Sequence, residues 1–203
     1  MRVLVACEES QRVCKAFLAK GHDAWSCDLR YPSGGRFDRH IRKDVLTIID
    51  QGWDLLIAHP PCTYLCVPGA HYLHTRPERW KQMEDAKEFF LAFYNSSISK
   101  ICIENPLPHK YAKLPKYTQI IQPWQFGHEV SKRTCLWLKN LPLLKPTNVV
   151  ENHGERYIRT ERQIALGYGR TSNSKWYAGA NKVERSKTFQ GIAQAMADQW
   201  GGN

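Results

Sequence analysis

Short apolar runs, separated by polar turns, recur along the first two thirds of the chain. Arg2 to Cys7 is apolar and rich in β-branched residues, the pattern of a buried strand. Ser10 can cap a helix from Gln11 to Lys20, in which Val13, Ala16, Phe17 and Lys20 keep helical spacing before Gly21 ends it. His22 to Cys27 reads as a second strand closing in Asp28. Arg30 to Arg39 is loop, with Pro32, Ser33, Gly34 and Gly35 as turn residues. A short third strand runs into Asp44, a short helix follows through Ile49, and Trp53 to Ala58 makes the fourth strand.

Pro60 to Arg76 has no clear period. Pro77 to Tyr94 predicts a helix with Trp80, Met83, Ala86, Phe90 and Phe93 inward. Lys100 to Ile103 is a fifth strand ending at Glu104, and Thr118 to Ile121 and Thr134 to Leu138 are two further candidates. From Leu141 to Arg185 the pattern dissolves into Pro, Asn, Gly and basic residues. Gln190 to Trp200 closes the chain as a helix. Alternating strands and helices imply an α/β fold with a doubly wound, mostly parallel sheet, whose ligands sit at the carboxyl ends of the strands. The polar residues expected at those ends are Glu8, Asp28, Asp44, Cys62, Glu104 and Arg133.

Composition narrows the class. The 203 residues suit one domain, 1–203, and a globular share of apolar and charged residues excludes a largely disordered chain. No apolar run approaches a membrane span, and Val3 to Cys7 is followed at once by Glu8 and Glu9, unlike a signal peptide. A soluble, cytoplasmic protein without a membrane is the expectation. The net charge of +10 is uneven, with 14 basic and 12 acidic residues in 1–100 against 15 and 7 in 101–203. A basic half attracts a polyanion. The seven cysteines show no C-x-x-C pair, and His71, His74, Cys62 and Cys66 fit no standard zinc spacing, so no metal is expected.

Three clusters can carry chemistry. In Ala58-His59-Pro60-Pro61-Cys62-Thr63 two prolines stiffen the turn after a buried strand and fix the direction of a potentially nucleophilic thiol. Ile101-Cys102-Ile103-Glu104-Asn105-Pro106 places a carboxyl after another strand, where it can donate a proton or hold a polar heterocycle. Gly127 to Thr134 leads into Cys135-Leu136-Trp137-Leu138 with Lys132 and Arg133 as its cations. A cysteine hydrolase would need a His or Asn partner, and none stands at a recognisable spacing.

Order, spacing and strand context of Pro61-Cys62, Glu104-Asn105-Pro106 and Ser131-Lys132-Arg133-Thr134-Cys135 resemble the cytosine-C5 DNA methyltransferases, most closely a compact phage-type branch. The resemblance spans residues 1 to about 140 and resumes at Arg185 to Trp200. It implies a Rossmann-like class I methyltransferase fold, a host-cell cytoplasmic location if the chain is phage-encoded, and S-adenosylmethionine as cofactor. It also implies attack of Cys62 on C6 of a cytosine, a grip on N3 and the exocyclic amine by Glu104, and a contact of Arg133 with the base carbonyl. Glu8, Ser10, Asp28, Asp44, Pro60 and Gln190 fall at cofactor positions, with Asp28 for the ribose hydroxyls and Asp44 for the adenine amine. Thr63 to Arg76 matches the family's loop over the flipped base.

Four departures stand beside it. Ala6-Cys7-Glu8-Glu9-Ser10-Gln11 lacks the family's glycines, so Glu8 or Ser10 would supply side-chain bonds instead. Thr63 replaces a glutamine, and Cys135 replaces the second arginine. Residues 141–185 form only a reduced recognition insert, in which Arg156, Arg159, Arg162, Lys175 and Trp176, with Lys132, are the expected nucleic-acid contacts. The expected partner is DNA. The alternatives are the same chemistry on RNA or a nucleotide, or an inactive relative that only binds nucleic acid.

Overall fold

Val3 to Ala6 and Leu55 to Ala58 are fully buried, because helices cover both faces of the strands that carry them. The computed structural model describes residues 1–154, 156–158, 161–165, 171–174 and 179–202. Within them, β1 (Arg2–Ala6), β2 (Asp23–Cys27), β3 (His40–Ile41), β4 (Leu55–Ala58) and β5 (Lys100–Pro106) pair in parallel. Two later strands, β6 (Gln119–Ile121) and β7 (Thr134–Lys139), add antiparallel pairings, with β7 between β5 and β6. The seven-stranded sheet has the order β3-β2-β1-β4-β5-β7-β6. The order reverses between β1 and β4, which opens a crevice at their carboxyl ends.

Period-two alternation divides the core. Val3, Val5, Leu55 and Ile57 meet α1 (Arg12–Ala19) and the closing helix through Val13, Phe17, Ile192 and Met196. Leu4, Leu56 and Ile103 face α2 (Glu78–Tyr94) through Met83, Phe90 and Phe93. Each fully buried phenylalanine contributes about 1.5–3 kcal/mol. Further helices among the described residues are α3 (Glu161–Ala165), α4 (Lys182–Ser186) and α5 (Gln190–Trp200). Gly191 lets α5 approach closely, since a Cβ there would run into the carbonyl oxygen of Phe126. No helix among the described residues is long and apolar enough to cross a membrane.

Several expectations are corrected. The N-terminal cap of α1 is Gln11, whose own side chain makes no cap bond; Glu8 holds the first turn through Val13 and Cys14 N–H, and the Ser10 hydroxyl accepts from Arg12 N–H at 3.5 Å. The helix expected through Ile49 is a single 3-10 turn, Val45–Thr47, capped by Asp44. Trp80 is 41% exposed, its ring edge-on to Tyr111 at the outer end of α2. Strand β5 continues past Glu104, because β7 offers it pairing as far as Pro106. The stretch read as patternless contains a two-stranded antiparallel sheet, β8 (Arg156–Ile158) with β9 (Thr171–Ser174).

Candidate active site

The ladder between β1 and β4 runs one residue past the strand, where His59 N–H donates to the Ala6 carbonyl at 3.0 Å. Pro60 and Pro61 have no N–H and end it there. The chain then turns back on itself, with Leu65 N–H and Cys66 N–H both donating to the Cys62 carbonyl, at 3.1 and 3.2 Å. Asn105, from the neighbouring β5, ties this turn down: its Nδ2 donates to the Pro60 carbonyl at 3.0 Å, and its Oδ1 lies 3.1 Å from Cys66 Sγ. Cys62 is thereby held at the carboxyl end of β4. Along with Cys7 it is partly exposed, while Cys14, Cys27, Cys66, Cys102 and Cys135 are buried.

The thiols differ chemically. A hydrogen bond from Cys66 brings the Cys62 thiol down to about 7; burial opposes that, and the Lys132 ammonium supports it. Burial pushes Cys135 up to about 11, and burial with the Glu8 charge pushes Cys14 up to about 12. A thiol near 7 is substantially thiolate at neutral pH, the reactive form. Replacing Cys66 by alanine removes the bond to the sulfur without removing the nucleophile. Alkylation of Cys62 by iodoacetamide at pH 7 is then expected to slow roughly tenfold, read by peptide mass spectrometry across pH.

Parallel pairing of Ala58 with Ile103 sets the next residues, His59 and Glu104, side by side. His59 Nδ1 lies 3.0 Å from Glu104 Oε2, with both side chains 12% exposed. Thr188, just before α5, donates its hydroxyl to the same oxygen at 3.2 Å. Burial would raise the Glu104 pKa, but the hydrogen bond and charge of His59, with the Lys132 charge, bring it down to about 2. Burial would lower the His59 pKa, yet Glu104 and, more weakly, Glu8 raise it above its ordinary value. Its Nε2 is buried and has no hydrogen-bond partner. Neither ring nitrogen serves the thiol, so Cys62 and His59 do not form the ion pair of a cysteine hydrolase.

The cation of this cluster is Lys132, whose Nζ also donates to the Arg185 carbonyl at 2.9 Å. Arg133, the cation expected to touch substrate, is exposed next to it. The segment that follows Cys62 is tied at several points. Val67 N–H donates to the Leu107 carbonyl at 3.2 Å. Arg79, from α2, donates to the Thr63 carbonyl at 3.1 Å and packs over the rings of Tyr64 and Tyr72.

At the crevice, the loop after β1 adopts glycine-like backbone without glycine: Cys7 and Gln11 both have φ of 57°. Each such residue costs on the order of 1 kcal/mol, strain of the kind that gathers at functional sites. Glu8 is buried and turns its carboxylate into the start of α1, accepting from Val13 N–H at 2.7 Å and Cys14 N–H at 3.2 Å. Burial raises its pKa. Ser10 lies beside it, its hydroxyl 3.5 Å from Glu8 Oε1. Glu9 presents a buried Oε1 with no partner. Asp28 and Asp44 lie close enough to Cys7 that their charges add to burial in raising its thiol. Pro60 is buried, and Gln190 is exposed as the first residue of α5.

Of the expected nucleic-acid contacts, Arg156 lies in β8 and Arg162 is exposed in α3. Arg159, Lys175 and Trp176 lie outside the described residues. Among the described residues no group of three or more His, Cys, Asp or Glu is placed to hold a metal ion. The sequence pattern by itself gives no role to His59, Asn105 or Thr188, and raises Cys66 only as a metal ligand. His59 and Asn105 stood inside the quoted motifs, and their polarity at a strand end was the available signal. No family model matches the chain, and no curated protein matches it.

Proposed function

We propose that the chain methylates C5 of cytosine in DNA, using S-adenosylmethionine and a transient bond between Cys62 and C6 of the base. The observation that carries this reading is a thiol near pKa 7 beyond the end of β4, beside a buried, ionised Glu104 within β5, with no imidazole on the thiol among the described residues. A hydrolase needs that imidazole; addition to an electron-poor ring does not. The Rossmann-like methyltransferase fold is part of the same proposal, and the crevice between β1 and β4 suits it.

The cofactor pocket can be tested against the residues present. A helix N-terminus ordinarily attracts phosphate, but here the Glu8 carboxylate fills it from within the chain. That disfavours a dinucleotide pyrophosphate and leaves room for an adenosyl group without phosphate. Glu9, with its partnerless buried oxygen, suits the α-ammonium of the methionine moiety. Asp28 and Asp44 suit the ribose hydroxyls and the adenine amine. When bound, S-adenosylmethionine supplies a methyl group made electrophilic by its sulfonium.

The chain's own residues do the rest. Lys132 and Cys66 hold Cys62 as thiolate for attack on C6. Glu104 receives the exocyclic amine with Oε1, since Oε2 is taken by His59 and Thr188. Arg133 and Arg162, both exposed, are available to phosphates of a polyanion. Labelled S-adenosylmethionine offered with duplex DNA, single-stranded DNA, RNA and dCMP tests the reading. Label at cytosine C5 in DNA is the expected result, and label elsewhere or nowhere overturns it.

A further inference from the structure

We infer that His59 is a positioning residue that acts through Glu104: its Nδ1–H supplies, by way of the Glu104 carboxyl, the proton that N3 of the cytosine takes up when Cys62 adds to C6. The inference rests on the methyltransferase reading above and assigns the source of a proton that Glu104 itself does not hold.

The need arises from Glu104. Its pKa of about 2 leaves it fully ionised at neutral pH. An ionised carboxylate accepts from the exocyclic amine but has nothing to give N3. A donor must stand behind it, and His59 Nδ1 does so at 3.0 Å from Oε2. Every charged neighbour recorded for the imidazole bears on its protonation. Glu104 from β5 and Glu8 from the loop after β1 favour the imidazolium, while Lys132, ahead of β7, opposes it. Burial opposes the charge, and the net effect still raises the imidazole above its ordinary value. Its Nε2–H has no acceptor among the described residues, so the proton has one outlet, toward Glu104. An unpaired buried N–H is unfavourable and is uncommon away from functional sites.

The step balances. As the Cys62 sulfur bonds to C6, the C5–C6 π pair moves to C4–C5 and the C4–N3 π pair settles on N3. N3 takes up one proton through Glu104: as His59 Nδ1 gives its proton to the carboxylate, the carboxyl gives one to N3, so Glu104 ends ionised and the imidazole is left neutral. When C5 takes the methyl group, the C4–N3 double bond re-forms and N3 becomes acidic. Its proton returns through Glu104 to His59. The C5 proton then leaves to solvent as the Cys62–C6 bond breaks, which restores the thiolate and the imidazolium.

The test compares wild type with His59→Asn, whose amide nitrogen stands where Nδ1 stood and keeps the bond to Glu104 but cannot pass a proton. Rates with tritiated S-adenosylmethionine on a cytosine oligonucleotide are measured across pH. For wild type, kcat is expected to rise as Cys62 ionises near pH 7 and to fall at higher pH as His59 loses its proton. In His59→Asn, kcat is expected to drop by about 10²-fold or more with KM little changed, and the basic limb to disappear while the acid limb stays. A variant with near wild-type kcat and an intact basic limb overturns the relay and leaves the methyltransferase reading standing. No transfer by wild type to any acceptor overturns both. A second measurement guards against a variant that does not fold. The His59 imidazole, titrated by NMR in wild type and in Glu104→Gln, should have a raised pKa that falls in the variant; an ordinary value in wild type overturns the pairing and the relay with it.

Discussion

Cys62→Ser is expected to leave the fold and cofactor binding unchanged and to lower methyl transfer by about 10⁴-fold or more, the scale on which an enzyme loses its nucleophile. A hydroxyl is nearly un-ionised at neutral pH, whereas the Cys62 thiol near 7 is substantially thiolate. The lowering comes mainly from Cys66 and Lys132, so it depends on the turn that sets Cys66 behind Cys62. The same chemistry predicts a trap. DNA carrying 5-fluorocytosine should become covalently attached to wild type in the presence of S-adenosylmethionine, because fluorine at C5 does not leave as a proton does. A gel-stable complex that forms with wild type and not with Cys62→Ser is the expected outcome. Retained turnover in the serine variant would remove Cys62 from the chemistry.

Glu104 is expected to govern stability as well as turnover. Its folded pKa of about 2 lies below the ordinary 4.5. A depressed carboxylate stabilises the fold at pH above its unfolded value and loses that contribution as pH falls through its folded one. The shift corresponds to about 3 kcal/mol, lost between roughly pH 4.5 and 2. His59 works in the opposite direction. Its raised pKa adds stability that is fully present below its unfolded value of 6.5 and is lost as pH rises through the folded value. The pair therefore stabilises the protein most between about pH 4.5 and 6.5.

Glu104→Ala leaves a buried imidazole without its counter-charge, and breaking such a pair costs about 3–5 kcal/mol. At pH 6 a fall in melting temperature of roughly 10 °C is expected. In Glu104→Gln the drop in stability below pH 4.5 should shrink, because no carboxylate remains there to protonate. Urea unfolding from pH 2.5 to 8 reads both effects. Methyl transfer should fall by about 10²-fold or more in either variant. A wild-type acid transition unchanged by Glu104→Gln would mean that the pair does not hold the fold.

How far the residues alone reach can be seen element by element. Strands β1 and β4 are legible because a strand covered on both faces must be apolar throughout, as Val3–Ala6 and Leu55–Ala58 are. The closing helix is legible from Gln190 to Trp200, since its buried Ile192, Ala193, Met196 and Trp200 repeat at helical spacing. Trp80 misleads because helical spacing says which face a side chain is on, but not whether the helix end overhangs the sheet. The capping role of Glu8 is not legible in the sequence, because only the direction in which α1 leaves the strand turns its carboxylate onto Val13 and Cys14.

The chemistry divides in the same way. Cys62 and Glu104 stand out in the sequence because each follows an apolar strand, and strand ends in such a fold line the ligand crevice. The partners of those two groups are decided in three dimensions. His59 reaches Glu104 because β4 and β5 pair in parallel with Ala58 opposite Ile103, a register fixed by side-chain packing on both faces of the sheet. Lys132, not Arg133, supplies the inner charge because the antiparallel pairing of β7 with β5, Thr134 opposite Pro106, brings the lead-in to β7 past the end of β5 at one angle. Two adjacent cations on that lead-in are equivalent as sequence. An electrostatic interaction falls off with distance and with exposure to water, so only the fold distinguishes the one near Glu104 from the one in solvent.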